Sequence, residues 1–216
     1  MNVLCVLARA PAPGTGKSRL RSSLDGATTD RLALAFLEDV LAWSGEAADA
    51  TLVASTGPAW LLPPLAPRGV LVPQAEGGLG DRIAAAVDAA FLLGAGAVVI
   101  LGSDCPTLPA ALVEAAFTGL ESAASTLIPA ADGGWVALGV DRPLGDLLDG
   151  VTWSSPATAR QTVAALRADG RAPRVLPPWY DIDEPGDLDR LCASPGEAAR
   201  APRTAAVLAG MRASVR

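Results

Sequence analysis

The segment Ala97-Val98-Val99-Ile100-Leu101 is apolar at every position and runs straight into Gly102-Ser103-Asp104-Cys105-Pro106. An unbroken apolar run of this length, ended by turn residues, predicts a strand covered on both faces, as in the centre of a sheet flanked by helices. In open α/β sheets ligands gather beyond the carboxyl ends of the strands, so Asp104 is expected at the mouth of a crevice rather than in the core. A distant segment, Asp181-Ile182-Asp183, supplies two further acids. Together Asp104, Asp181 and Asp183 form the kind of oxygen-donor set that a hard divalent cation, Mg²⁺ or Mn²⁺, prefers. The same residues also suit a plainer role, with Asp104 capping the following helix and Asp181 and Asp183 shaping a turn.

The rest of the chain alternates strand-like and helix-like stretches. Strands are expected over Asn2 to Ala8, Thr51 to Ser55, Gly69 to Val72, Ser125 to Pro129, Trp135 to Val140 and Pro173 to Leu176. Between them, Thr28 to Trp43 and Leu79 to Leu93 carry apolar residues at helical spacing, such as Ile83, Val87 and Phe91, and helices are also expected near Pro109 to Ala123, Pro156 to Ala168 and Pro185 to Leu191. This alternation predicts an α/β protein built on a mostly parallel, doubly wound sheet in a single domain over residues 1–193. The Ala/Arg-rich segment from Ser194 to Arg216 reads as a peripheral helix or frayed tail.

Composition removes several function classes. A net charge of −6 argues against a general nucleic-acid partner, because such binding depends on Lys and Arg neutralising many phosphates. No apolar run is long enough to span a bilayer, and Arg9 interrupts the first strand too early for a signal peptide, so no membrane partner and a cytoplasmic location are expected. The three scattered cysteines indicate neither a disulfide framework nor a cysteine zinc site. The chain has no histidine, which excludes Ser-His-Asp, Cys-His and His-zinc chemistry in their usual forms. Catalysis would fall to carboxylates, basic side chains and a metal.

The first loop runs from Arg9 through Pro11, Gly14 and Gly16 to Lys17-Ser18-Arg19-Leu20. Its end copies a Walker A motif, but the first glycine of that motif would fall where this chain has Pro11, which fixes φ and removes an N–H from a loop that works by wrapping backbone around phosphate. A P-loop is therefore not the expected reading. What remains is phosphate chemistry: Gly14 and Gly16 permit close backbone approach, while Lys17 and Arg19, two apart in an extended loop, would point to one side and converge on a diphosphate. A flexible loop with solvated basic residues is the plainer alternative.

Five motifs in order now carry a family resemblance. They are Ala8-Arg9-Ala10-Pro11 to Lys17-Ser18-Arg19-Leu20; Gln74 to Glu76-Gly77-Gly78-Leu79-Gly80-Asp81-Arg82; Gly102-Ser103-Asp104-Cys105-Pro106; Asp132-Gly133-Gly134-Trp135; and Asp181-Ile182-Asp183-Glu184-Pro185 to Asp187-Leu188. From about Val3 to Leu191 the chain resembles the DUF2064 family of GT-A-type glycosyltransferases, similar to those of arsenosugar biosynthesis, within the nucleotide-diphospho-sugar transferase superfamily. It departs from that pattern at Arg9, where lysine is usual, at Trp135 in place of tyrosine, and at Glu184 in place of threonine.

The resemblance implies a GT-A, Rossmann-like fold and transfer of a sugar from a nucleotide-sugar to a small-molecule acceptor. It implies Asp104 as the metal-binding acid, completed by Asp181 and Asp183, with Arg9, Lys17, Arg19 and Arg82 on the phosphates. Gln74, Gly78 and Gly80 would lie near the nucleotide. Asp132 would contact sugar or acceptor as a candidate base, with Gly133, Gly134 and Trp135 beside it. Trp153 stacks on the sugar or simply packs. A runner-up is nucleotidyl transfer from a free NTP, similar to the guanylyltransferases that activate phospholactate in coenzyme F420 synthesis. The third reading is a non-catalytic nucleotide-binding module.

Overall fold

A computed structural model describes residues 1–214. The elements run β1 (Asn2–Arg9), α1 (Gly26–Ala47), β2 (Ala50–Thr56), β3 (Gly69–Pro73), α2 (Leu79–Leu92), β4 (Ala97–Gly102), α3 (Ala110–Gly119), β5 (Ser125–Pro129), β6 (Trp135–Val140), α4 (Thr158–Ala168), β7 (Pro173–Val175), α5 (Pro185–Ala193), α6 (Pro195–Arg200) and α7 (Pro202–Ser214). They form a single α/β domain around one 7-stranded sheet ordered β3-β2-β1-β4-β6-β5-β7.

The sheet is mostly parallel, as the alternation predicts. Among the described residues only β6 runs against its neighbours, β4 and β5. Residues 130–134 are too few for a crossover, which needs a dozen or more, so β5 and β6 close as a hairpin. With β6 reversed between them, β4 and β5 point the same way. The hairpin tip, Asp132-Gly133-Gly134, therefore emerges at the same sheet edge as Asp104.

Period-two alternation on the central strands separates the two core layers. Leu4, Val6, Val99 and Leu101 join Leu37, Val40 and Phe117 from α1 and α3. Val3, Cys5, Val98 and Ile100 face Ile83, Val87 and Leu166 from α2 and α4. A third cluster, made by Leu20, Leu32, Phe36, Tyr180, Ile182, Leu188, Leu191 and Leu208, fastens the first loop and the C-terminal helices to α1. After α5 the chain forms α6 (Pro195–Arg200) and α7 (Pro202–Ser214), and α7 docks on α1. There Asp39, buried in α1, accepts from the Arg203 and Thr204 N–H groups at 3.1 and 2.8 Å and from Thr204 Oγ1 at 2.8 Å. A buried carboxylate is tolerated here because three donors replace its water. Among the described residues no helix is long and apolar enough to cross a membrane.

Candidate functional site

The strand order reverses direction between β1 and β4, which opens a crevice beyond their carboxyl ends. Ser103 N–H donates to the Leu7 carbonyl at 3.1 Å, carrying the β1–β4 pairing one residue past the strand and fixing the approach to Asp104. The Ile182 N–H donates to the Asp104 carbonyl at 2.8 Å and brings the distant acidic segment alongside. Side chains of an extended segment alternate in direction. With Ile182 buried in the third cluster, Asp181 and Asp183 are turned the other way, toward Asp104. Asp187, at the start of α5, accepts from the N–H groups of Asp183 at 3.0 Å and Glu184 at 2.8 Å and holds that backbone in place.

One carboxylate oxygen from each of Asp104, Asp181 and Asp183 lies within 4.8 Å of the others. Metal–oxygen bonds of about 2.0–2.6 Å can span such a set, and all donors are hard oxygens, so the residues fit Mg²⁺ or Mn²⁺. Burial, then the neighbouring charges of Asp104 and Asp183, push the Asp181 carboxyl up to about 6. Cys105, buried beside Asp104, has its thiol pushed well above the usual range by burial and by the charges of Asp104 and Asp181. A raised thiol pKa leaves little of the nucleophilic thiolate.

Lys17 is the chain's only lysine and departs from the expected arrangement. Its loop is not extended: Lys17 has φ +46, in the left-handed region, and a 3-10 turn follows over Leu20–Ser22. The side chain reaches inward, with Nζ donating to the Ile182 carbonyl at 2.6 Å, Asp183 Oδ1 at 2.9 Å and Asp104 Oδ2 at 3.4 Å. Burial pulls this ammonium down, but the charges of Asp104 and Asp183 outweigh it and leave the pKa raised. Arg19 also turns to Asp183, with Nη1 3.2 Å from Oδ2. The two basic residues do converge, but on Asp183.

Side-chain contacts hold the loop. Arg21 pairs with Asp30 and donates from Nε to the Gly16 carbonyl at 3.1 Å, while Asp30 accepts from the Gly14 N–H at 3.1 Å. Gly14 and Gly16 have φ +81 and +76, which accounts for glycine at both positions. Nothing in the sequence marks Arg21 and Asp30 as partners, because the pairing crosses a turn whose geometry only the fold defines.

Two cavities meet at Asp104. One, of about 550 Å³, is lined by Arg9, Gly16, Lys17, Arg19, Gln74, Arg82 and Asp183 among others. The other, of about 280 Å³, is lined by Asp104, Asp132, Gly134, Trp135, Trp153 and Asp181, with Leu79, Ile83 and Thr158. Its lining includes no Lys or Arg. Ser154, which sequence reasoning passed over, borders both cavities and has φ +54. Its only sequence signal is its position in the Ser/Thr-rich loop after Trp153.

Not every expected residue lines a cavity. Gly14, Gly78, Gly80 and Gly133 stand outside both. Gly78 caps α2, with its N–H on Asp81 Oδ2 at 2.6 Å, and Gly80 leaves room for the Trp153 indole, whose Nε1 would lie 3.1 Å from a Cβ there. Gln74 spends both amide hydrogens on the Ala8 and Ala54 carbonyls, at 2.7 and 3.0 Å, and so ties β1 to β2. Arg82 Nε donates to the Gly77 carbonyl at 3.1 Å. Asp132 Oδ1 accepts from the Gly134 N–H at 2.8 Å, and among the described residues no hydrogen bond engages Oδ2. Trp135 donates to Thr162 Oγ1 at 3.2 Å and meets Trp153 edge to face, with ring centroids 6.0 Å apart.

Comparison with known proteins agrees with the fold. A protein from Desulfovibrio desulfuricans, provisionally assigned as a nucleotide-diphospho-sugar transferase, is 26% identical, with a TM-score of 0.86 over 98% of this chain and 95% of that one. CMP:2-keto-3-deoxy-manno-octonic acid synthetase complexed with CTP shares the fold, at 14% identity and a TM-score of 0.56 over 89% of this chain and 97% of that one. So does the manganese complex of Rv0371c from Mycobacterium tuberculosis, at 16% identity and a TM-score of 0.51 over 89% and 98%. No curated protein matches the chain. The model of a family described as "Uncharacterized protein conserved in bacteria (DUF2064)" matches residues 28–155, a span that holds Asp104, Asp132 and Trp153 and leaves out the first loop and Asp181. That match covers more than half of the 216 residues, and the chain belongs to the DUF2064 family.

Proposed function

We propose that the protein is a metal-dependent glycosyltransferase-like enzyme that moves a sugar from a nucleotide-diphosphate-sugar to a small-molecule acceptor. The observation that carries this reading is the meeting, at Asp104, of a basic cavity and a carboxylate- and indole-lined one. The first suits a diphosphate and the second a hydroxylated, uncharged group. The coarser reading, a transferase acting on a nucleotide or nucleotide-sugar, is supported by the Desulfovibrio protein and by the fold shared with the CTP-bound synthetase.

Held by Asp104, Asp181 and Asp183, Mg²⁺ or Mn²⁺ would supply charge stabilisation for the departing diphosphate. Arg9, Arg19 and Arg82 bind the phosphate oxygens and hold the leaving group in the basic cavity. Asp132 Oδ2 accepts the proton of the acceptor hydroxyl as its oxygen bonds to the anomeric carbon. The bond from that carbon to the diphosphate oxygen breaks, and the nucleoside diphosphate leaves with the electron pair. Trp135 and Trp153 form an apolar wall that limits water, the competing acceptor.

A second reading, nucleotidyl transfer, has a specific ground: the same basic side chains would also take the triphosphate of a free NTP. The absence of Lys and Arg from the smaller cavity's lining weighs against a phosphorylated acceptor there. Incubation with a panel of NTPs and nucleotide-sugars plus Mn²⁺ separates the readings. Nucleoside diphosphate released from a nucleotide-sugar supports glycosyl transfer. Pyrophosphate released from an NTP replaces it with nucleotidyl transfer, and binding without either product leaves a nucleotide-binding module.

A further inference from the structure

Lys17 occupies an unusual position for a phosphate-binding residue. Its ammonium bridges Asp104 Oδ2 and Asp183 Oδ1 and takes a third bond to the Ile182 carbonyl, with the Phe36 ring 5.5 Å away. The side chain is 12% exposed, against 60% for Arg19. The backbone is bent to deliver it there, since Lys17 and Ser154 are the only non-glycine residues with positive φ among those described. A strained conformation persists where the surroundings impose it, and here the Arg21–Asp30 clamp on Gly14 and Gly16 does so.

A divalent cation held by the triad would draw on the same two carboxylates that the ammonium engages. The ammonium and a divalent ion are therefore competitors for Asp104 and Asp183. We infer that Lys17 is the resident counter-ion of the acidic triad, and that a divalent metal enters only in exchange for it, freeing the ammonium to swing into the adjoining basic cavity. Lys17 lines that cavity too, so the freed side chain has a diphosphate site within reach. Metal entry and diphosphate binding then reinforce one another, and the linkage is reciprocal. The inference rests on the reading of the triad as a metal site.

The test measures Mn²⁺ affinity by calorimetry, with the metal alone as probe, on the wild type, Lys17→Met, Lys17→Arg and Asp104→Asn. If the ammonium fills the triad in nine molecules of ten or more, its removal tightens apparent Mn²⁺ binding by about 10-fold or more. Lys17→Met should show that gain, and Lys17→Arg, which keeps the charge, should not. Equal or weaker Mn²⁺ binding by a folded Lys17→Met, while Asp104→Asn weakens binding, overturns the exchange and leaves the metal site standing. Absence of Mn²⁺ binding in both the wild type and Lys17→Met overturns the metal site as well.

A second measurement needs no variant. With ¹³C/¹⁵N-lysine labelling, the single lysine gives one side-chain signal, which should sharpen to that of a mobile group on titration with diamagnetic Mg²⁺. A broad, unmoved signal at saturating Mg²⁺ overturns the exchange.

Discussion

The backbone N–H of Ile182 donates to the carbonyl of Asp104 across 2.8 Å, and this single bond joins the end of β4 to the segment that carries Asp181 and Asp183. The three carboxylates are close because the backbones that bear them are joined. Each should then contribute to one site. Asp104→Asn and Asp183→Asn are expected to weaken Mn²⁺ binding by about 10–1,000-fold, since about 1.4 kcal/mol of lost charge stabilisation corresponds to tenfold. Calorimetric titration of Mn²⁺ into each variant checks this, and wild-type affinity in either would dissolve the triad.

Asp181 should make stability depend on pH. Its carboxyl is raised from 3.8 to about 6 in the folded protein, so between these values the folded chain binds more protons than the unfolded one. Stability from this group is therefore largest below the unfolded value and is lost as pH rises through the folded one. Without metal, Asp181→Asn should melt at a higher temperature than the wild type near pH 8 and at a similar temperature near pH 4. Saturating Mn²⁺ should reverse the order at high pH, because only the wild type gains the full binding energy. Melting curves in EDTA and in Mn²⁺ at the two pH values give the comparison. A difference independent of pH would mean that Asp181 is stabilised by packing, not held in an unfavourable charge state.

Much of this arrangement is legible in the sequence, and the remainder has a common physical cause. The strands over Ser125–Pro129 and Trp135–Val140 are legible because each is a short apolar run and Asp132-Gly133-Gly134 separates them. Asp104 is legible as a cleft residue because it ends a fully apolar strand. The Asp-Ile-Asp spacing is legible because extended chains alternate. Lys17 is not, because its direction is set by a left-handed backbone that the Arg21–Asp30 contact maintains across a turn. The Gln74 amide is not, because its partners lie on two different strands. Ser154 is hidden for the same reason: a serine in a polar loop has no periodicity to give away which cavity it borders. For these three residues the side chain's direction is fixed by contacts across the chain, which neighbours along it do not reveal.

The arginines of the larger cavity give a prediction that separates phosphate binding from surface decoration. Arg19→Ala and Arg82→Ala should each weaken nucleoside diphosphate binding in the presence of Mn²⁺ by about 1.5–3 kcal/mol, the usual worth of a hydrogen bond to a charged group. Arg19 is 60% exposed and its ion pairs lie at the surface, so the melting temperature of that variant should hardly move. Unchanged dissociation constants in both would return these side chains to the role of solvated charges.

The last prediction concerns two glycines that look alike in sequence and differ in surroundings. Gly133 and Gly14 have φ +91 and +81, so an alanine at either is strained by about 1–2 kcal/mol. At Gly14 an added methyl meets nothing within 4 Å, and the cost should end there. At Gly133 it would run into the backbone of Pro156, which lies in the loop bearing Trp153 and Ser154. The Ala159 N–H also donates to the Gly133 carbonyl at 2.9 Å, so the hairpin tip cannot retreat without breaking its tie to α4. Overpacking adds about 1–3 kcal/mol, and Gly133→Ala should lose about 2–5 kcal/mol in total. For a domain of this size each kcal/mol lowers the melting temperature by roughly 2–4 °C. The displaced tip carries Asp132, so the variant should also raise the KM for the acceptor while leaving nucleoside diphosphate affinity unchanged. Equal destabilisation in Gly14→Ala and Gly133→Ala would show that the hairpin and the Trp153 loop are not in close contact, and the smaller cavity would lose its wall.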